Sequence, residues 1–293
     1  MTFKNLKILV PTDFSERSYK AFRPASYLAG LFDGKVNIMT RYEPEDKPSF
    51  PAPPPKSKSE EEIKKDLLEV AKKYMDDEKF IGEAIVRSGK APHRLISEES
   101  KKHDLVVMAT HGRTGFSRML LGSVTEKVLR ISRAPVIAVE DEGIRPLKNI
   151  LVTTDFSEYS TEAFPYALEL AKTSGAQVDL LNVAVKDQFT KDKDFESQRK
   201  MRKEMLSELI DKHFSEIKDQ IRAEMIASET SIHEAITRRV NKGDYNLIVM
   251  STLGRTKLDY LRLGSTTSHV TRHVETAVLS VNPKRKEKPP EDI

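Results

Sequence analysis

Short apolar runs recur along the chain, separated by longer stretches in which apolar residues return every three or four positions. Ile8-Leu9-Val10, Val36 to Thr40, Ala84-Ile85-Val86, Leu105 to Met108 and Val136 to Val139 are too short for helices. They are apolar at consecutive positions, so both faces of each would be covered, and they are predicted to be strands. After the first, Ala21, Ala25, Leu28 and Phe32 share one helical face, and Pro24 is expected to kink that helix or shorten its first part. Glu60 to Tyr74, Pro92 to Lys101 and Ser123 to Ile131 are further predicted helices. Pro44 to Pro55 holds six of the chain's 15 prolines, which predicts an exposed loop.

The pattern then begins again. Strands are predicted at Ile150 to Thr153, Val178 to Val183, Ala223 to Ala227, Leu247 to Met250 and Val278 to Val281. A longer charged helix replaces the proline-rich loop. In it Met201, Met205 and Leu209 form an apolar ridge with Leu206, Ile210 and Phe214 beside it, and methionines at that spacing are expected in the core. Doubly covered strands alternating with helices imply parallel sheets with helices on both faces, so each copy is predicted to be an α/β open sheet of five strands. The seam falls in the polar stretch Glu140 to Lys148, which divides the chain into domains 1–143 and 144–293.

The repeat extends to individual residues. Lys7 to Glu16 reads KILVPTDFSE and Asn149 to Glu158 reads NILVTTDFSE, which sets Asp13 and Asp155 142 positions apart. At the same offset, Met108 to Thr114 (MATHGRT) answers Met250 to Thr256 (MSTLGRT), and Leu121-Gly122-Ser123 answers Leu263-Gly264-Ser265. A period this long is a whole domain, not a solenoid unit. In open parallel sheets, ligands sit beyond the carboxyl ends of the strands, near the switch in strand order. Asp13 follows the first strand, and the segment Ala109 to Ser123 follows the fourth. Gly112 and Gly122 flank nine residues that lead into a helix at Ser123. Glycines allow close approach of backbone N–H groups to an anion, and a helix N-terminus adds donors and partial positive charge. The hydroxyls of Ser123 and Thr125 can add to these, and the Asp13 carboxylate is suited to an amino group or a ribose hydroxyl. A plainer reading stands beside this one. Ser123 with Glu126 has the form of a capping box, glycines suit any strand-to-helix turn, and Asp13 before Ser15 is an ordinary helix start.

Composition narrows the field. With 49 basic and 45 acidic residues the net charge is +4, which gives no reason to expect nucleic acid as a partner. The run Lys284-Arg285-Lys286 is expected to be a solvated tail. There are no cysteines, which excludes disulfides and thiol chemistry and suits a reducing compartment. No basic segment precedes a long apolar one, and the apolar runs are far shorter than the ~20 residues that span a bilayer. A cytoplasmic protein with no membrane partner is expected. His269 and His273, four apart on a predicted helix, have a spacing seen in metal sites, but no third ligand is evident nearby in the sequence, and no metal site is assigned.

These motifs resemble the universal stress protein family, whose nucleotide loop runs Gly, two residues, Gly, nine residues, Gly, then Ser or Thr. Here it reads Ala109-Thr110-His111-Gly112, nine residues, Gly122-Ser123, and again Ser251-Thr252-Leu253-Gly254, nine residues, Gly264-Ser265. The resemblance covers nearly the whole chain. It implies two tandem Rossmann-like domains of the adenine-nucleotide alpha hydrolase-like kind, and pairing through the last strand that two domains in one chain supply internally, with a homodimer as a further possibility. It also implies binding of ATP or AMP, with Mg²⁺, in stress survival. Carried over by position, Pro11, Thr12 and Asp13 would hold the adenine or ribose side. Met108 and Ala109 would approach the ribose and phosphates, and Gly112, Gly122, Ser123, Val124 and Thr125 would wrap the phosphates. In the second copy the same roles fall to Thr154, Asp155, Met250, Ser251, Gly254, Gly264, Ser265, Thr266 and Thr267, with Val183 against the base. Both copies lack the loop's first Gly. Arg41 stands where an aliphatic residue would face the base, and Glu229 lies in the turn matching Ser88 to Pro92, where an inward acid would disfavour phosphate. Arg113 and Arg255 are candidates to reach a phosphate or to be solvated. No catalytic residue is assigned. A slow ATPase or a nucleotidyl-phosphoprotein enzyme, and a partner scaffold that binds no nucleotide, are the alternatives.

Overall fold

The computed structural model describes residues 3–43, 58–110, 121–140, 144, 146–186, 192–254 and 263–283. The proline-rich stretch from Pro44 to Pro55, Gly112, Arg113, Arg255 and the Lys284 to Lys286 run lie outside these. The first copy runs β1 (Lys7–Pro11), α1 (Glu16–Tyr19), α2 (Phe22–Leu31), β2 (Lys35–Arg41), α3 (Glu60–Tyr74), β3 (Ile81–Arg87), α4 (Pro92–Ser100), β4 (Leu105–Ala109), α5 (Ser123–Ile131) and β5 (Val136–Val139). The second runs β6 (Asn149–Thr153), α6 (Glu158–Thr161), α7 (Phe164–Ser174), β7 (Gln177–Val185), α8 (Asp192–His213), β8 (Ile221–Ser228), α9 (Ile232–Lys242), β9 (Leu247–Ser251), α10 (Ser265–His273) and β10 (Ala277–Val281).

The ten strands among the described residues join one sheet in the order β3-β2-β1-β4-β5-β10-β9-β6-β7-β8. Within each copy every pairing is parallel. The order reverses direction between β1 and β4, and again between β6 and β9, which opens a crevice at the carboxyl ends of each pair. The two copies meet through the antiparallel pair β5 and β10, with Leu279 opposite Ile137. Asn282 Nδ2 donates to the Arg130 carbonyl at 2.7 Å and Arg272 pairs with Glu126 at 3.0 Å, so side chains also cross the seam. The core on one face of the sheet is continuous, running from Ile8 and Leu28 through Ile137 and Leu279 to Val178 and Phe214. No helix among the described residues is long and apolar enough to cross a membrane.

Local sequence explains the boundaries. The helix predicted around Ala21 to Phe32 is shortened at its start, as α2. Its Pro24 sits in the first turn, where a missing N–H breaks no intrahelical bond. Ser59 and Glu62 form a reciprocal capping box at the start of α3. Gly175, at φ 75°, ends α7 in the left-handed region. In α8 the expectation for the methionines fails in part. Leu206 and Phe214 are fully buried, with Phe214 against Phe164 at 5.2 Å, whereas Met201 is 53% exposed. The buried stripe of α8 lies on the Leu206–Phe214 side of the helix, and Met201 falls outside it.

Asp179, on β7 next to the edge strand of the second copy's sheet, is buried among cations. Arg222 grips both of its carboxylate oxygens, the Tyr245 hydroxyl donates to it, and Arg239 approaches at 3.3 Å while also binding Glu224 at 2.8 Å. Burial pushes the Asp179 carboxyl up, but the hydrogen bonds from Arg222 and Tyr245 outweigh it and hold the carboxyl below its ordinary value. A depressed folded-state pKa stabilises the fold above the unfolded value and loses that stabilisation as pH falls through the folded one. Asp179→Asn is therefore expected to lower stability by about 1–3 kcal/mol at pH 7. Urea unfolding at stepped pH should show the gap from wild type closing below pH ~3.9.

Candidate functional site

A cavity of about 710 Å³ opens at the carboxyl ends of β1 and β4. Pro11, Thr12, Asp13, Met108, Ala109, Gly122, Ser123, Val124 and Thr125 all line it, so two segments far apart in sequence converge there. Phe14, Met39, Thr40, Arg41 and Tyr42 complete the walls, and Lys58, Ile63 and Asp66, from the start of α3 and the residues before it, supply a roof that sequence reasoning missed. The Lys58 ammonium pairs with Asp66 at 2.6 Å. The amphipathic pattern of α3 was legible, but not which of its turns reaches over the crevice.

The turn after β1 is built by side chains. The Thr12 hydroxyl accepts from the Phe14 amide at 3.0 Å and meets the Ser18 hydroxyl at 2.7 Å. Asp13 Oδ1 accepts from the Ser15 amide at 3.1 Å and from its hydroxyl at 2.6 Å. These bonds hold Phe14, one of the residues that line the cavity, at φ 61°, a left-handed conformation that costs a phenylalanine of order 1–3 kcal/mol. Ser15 caps α1 by accepting from the Ser18 amide, as a helix-start reading expects.

The capping box read from Ser123 and Glu126 does not form. Gly122 is the N-cap of α5, with no side-chain cap bond, and Glu126 reaches Arg272 across the seam. The Gly122 amide donates to the Thr110 carbonyl at 2.8 Å, which folds the helix start back onto the end of β4. The first-turn amides of Ser123, Val124 and Thr125 thus open a helix N-terminus on the cavity with no capping side chain over it. The Thr125 hydroxyl donates to the Ala109 carbonyl at 2.9 Å, so its hydrogen serves the fold.

Arg41 is drawn to the rim. Its Nε donates to the Lys90 carbonyl at 2.9 Å and its guanidinium pairs with Glu43, which ties the end of β2 to the turn Ser88 to Pro92. The Tyr42 amide donates to the Arg87 carbonyl at 2.9 Å. By the alternation of a parallel ladder, the amide and carbonyl of Arg41 itself point the other way, beyond the end of β1.

The second copy repeats the framework. Thr154 accepts from the Phe156 amide at 3.0 Å and meets Ser160 at 2.9 Å, Asp155 accepts from Ser157, and Phe156 lies at φ 66°. Gly264 is the N-cap of α10, which begins with Ser265, Thr266 and Thr267. Its amide donates to the Thr252 carbonyl at 3.0 Å, and Thr267 donates to the Ser251 carbonyl at 2.8 Å. The Ser251 hydroxyl accepts from the Leu253 amide at 3.3 Å and so turns into its own loop. Met250 and Val183 are buried, and Glu229 is exposed. Gly254 packs on Asp155, and a Cβ there would stand 2.4 Å from Oδ2. One difference is large. Asn182, where the first copy has Thr40, binds Arg202 of α8.

Histidines gather on the α9–α10 surface. His233 joins the pair found in sequence, its ring 4.1 Å from His269, which stacks on His273 at 3.9 Å. Burial, together with the two neighbouring imidazoles, holds His269 below its ordinary value. His233 is tilted 45° to His269, only the His269–His273 pair is stacked, and no group among the described residues is arranged to hold a metal ion. His93 is buried in α4.

The strand order, with a cavity at its switch point and a glycine-capped helix in its wall, defines a tandem doubly wound α/β protein. The sequence profile of the Universal stress protein family matches residues 4–140 and again 146–282, and the chain belongs to that family. A universal stress protein of Methanocaldococcus jannaschii is 33% identical over 138 residues, 46% of this chain and 81% of that protein. One from Mycolicibacterium smegmatis is 26% identical over 295 residues and matches the tandem arrangement, covering 94% of this chain and 97% of its own length. The solved structure of a universal stress protein from Archaeoglobus fulgidus shares the fold, with a TM-score of 0.68 at 20% identity, over 96% of this chain and 100% of that one.

Gly264 tests the tight neck between strand end and helix. A Cβ there would lie 2.6 Å from the Thr252 carbonyl oxygen, a backbone atom that cannot swing aside. Gly264→Ala is expected to cost about 1–3 kcal/mol in urea unfolding, although its φ suits any residue. An unchanged midpoint would mean the neck has slack.

Proposed function

We propose that the chain is a universal stress protein that binds an adenine nucleotide, ATP or AMP, in its first domain, and that this binding serves a regulatory or protective role in stress response. The domains are taken as 1–143 and 144–293. The observation that carries the reading is the pairing, in one cavity, of an acceptor at one end with uncapped helix amides at the other. A volume of about 710 Å³ is in the range of small-molecule sites. Asp13 would accept from ribose hydroxyls. The backbone amide and carbonyl of Arg41 offer a donor beside an acceptor, which matches the amino-bearing edge of adenine. Pro11, Thr12 and Phe14 would flank the base and sugar, Met108 and Ala109 the sugar and phosphates. The amides of Ser123, Val124 and Thr125, with the Ser123 hydroxyl, would receive phosphate oxygens. Mg²⁺ would come on the phosphates of ATP, since no set of acidic or histidine side chains among the described residues is arranged to hold it. A reducing, cytoplasmic setting suits a chain without cysteine.

Mass spectrometry of small molecules released from the denatured, purified protein should find an adenine nucleotide, and calorimetry should register binding of AMP or of ATP with Mg²⁺. Asp13→Ala is expected to weaken binding about 10- to 100-fold, the loss of a hydrogen bond to a charged acceptor. Gly122→Val should abolish it by displacing the helix start. No released nucleotide and no heat with either ligand would overturn the reading.

A further inference from the structure

The two copies share the turn after the first strand and the glycine-capped helix, but they differ in what lies over the turn. In the first copy Thr40 donates to the Thr12 carbonyl at 2.9 Å, and Ile63 of α3, one turn before the buried Leu67, lines the open cavity. In the second copy the matching positions are Asn182 and Arg202, the latter one turn before the buried Leu206. Asn182 Nδ2 makes the bond that Thr40 makes, donating to the Thr154 carbonyl at 2.8 Å. Its amide oxygen then faces α8 and accepts from Arg202 Nη1 at 2.8 Å. The Arg202 guanidinium lies over the Phe156 ring, 5.9 Å from its centroid, and its Nε is shielded from solvent. The equivalent residue in the first copy, Phe14, lines the cavity. Nearer the start of α8, Phe195 is 5% exposed and lies under the Lys186 ammonium, just past the end of β7.

We infer that Arg202 is a built-in occupant of the second copy's crevice, so that the chain takes up one nucleotide rather than two. The inference rests on the nucleotide reading of the first copy. A guanidinium is flat and cationic and presents donors along its edge. Over an aromatic ring it takes a stacking place open to a planar base, and its donors meet an acceptor at the pocket floor. Both sides of the contact changed together between the copies, threonine to asparagine and isoleucine to arginine, which a chance surface arginine would not require. The rest of the second site remains built, with Asp155, Gly254 and the amides at the start of α10 in place. The crevice is therefore closed by one side chain rather than lost.

Titration with AMP, and with ATP and Mg²⁺, gives the test. The full-length protein should bind one equivalent per chain. Arg202→Ile, which installs the first copy's residue, should bind two, and so should Arg202→Ile with Asn182→Thr, which restores the first copy's pair and guards against a stranded amide. Adding Gly122→Val to Arg202→Ile should leave one equivalent, now held by the second copy. Two equivalents in the wild type, or one in both Arg202 variants, would overturn the inference while leaving the nucleotide reading intact. No binding in the wild type or in the Arg202 variants would overturn both.

Discussion

The site depends on a backbone bond made twice, from Gly122 to the Thr110 carbonyl and from Gly264 to the Thr252 carbonyl. In each copy it draws the helix start back to the end of the central strand whatever the intervening loop does. A residue larger than glycine would press on that carbonyl in the second copy, so the close approach excludes side chains. With glycine as the N-cap there is no hydroxyl or carboxylate to satisfy the helix amides internally. The same choice that lets the chain turn tightly therefore leaves donors directed at the crevice. The hydroxyls of Thr125 and Thr267 clamp the arrangement from beneath.

Much of this was legible in the sequence because period and repeat are strong signals. Every predicted strand is present, since short runs of consecutive apolar residues bounded by polar turns leave few options other than a doubly covered parallel strand. Asp13 and Ser123 could be placed on one crevice because strand order follows from alternation of element types. What could not be read was the side-chain traffic. The Ser123-to-Glu126 spacing reads as a capping box, but the helix begins one residue earlier than that reading needs, with Gly122 as its N-cap, and Glu126 pairs with an arginine from the other copy. Met201 shares the period of the α8 core and still faces solvent, because period alone does not settle which of two neighbouring stripes is buried. Arg41 stands where the resemblance expects an aliphatic residue, and its side chain binds the Lys90 carbonyl and the Glu43 carboxylate while still lining the cavity.

The copies also show how alike a sequence can be while its surroundings differ. The turns around Asp13 and Asp155 share their threonine–serine and aspartate–serine hydrogen bonds, down to the positive φ of Phe14 and Phe156. The variation lies in the helices that cross above them. The first copy reaches its roof through α3, with the Lys58–Asp66 pair at the edge. The second brings α8 across, with Phe195 and Arg202. Similar asymmetry appears away from the crevice. Asn37, paired with His103 at 3.0 Å in the first copy, is matched by Asp179 and its ring of cations and Tyr245 in the second.

The antiparallel junction of β5 with β10 has a consequence for how such a chain can evolve. Two separate molecules meeting edge to edge must find each other, and their union weakens on dilution. Here the meeting is intramolecular, and the covalent tether makes it independent of concentration. A self-associating single-domain ancestor would also express every replacement at both ends of its symmetric assembly. Fusion breaks that symmetry, so one half is free to drift in chemistry while the other keeps its original task.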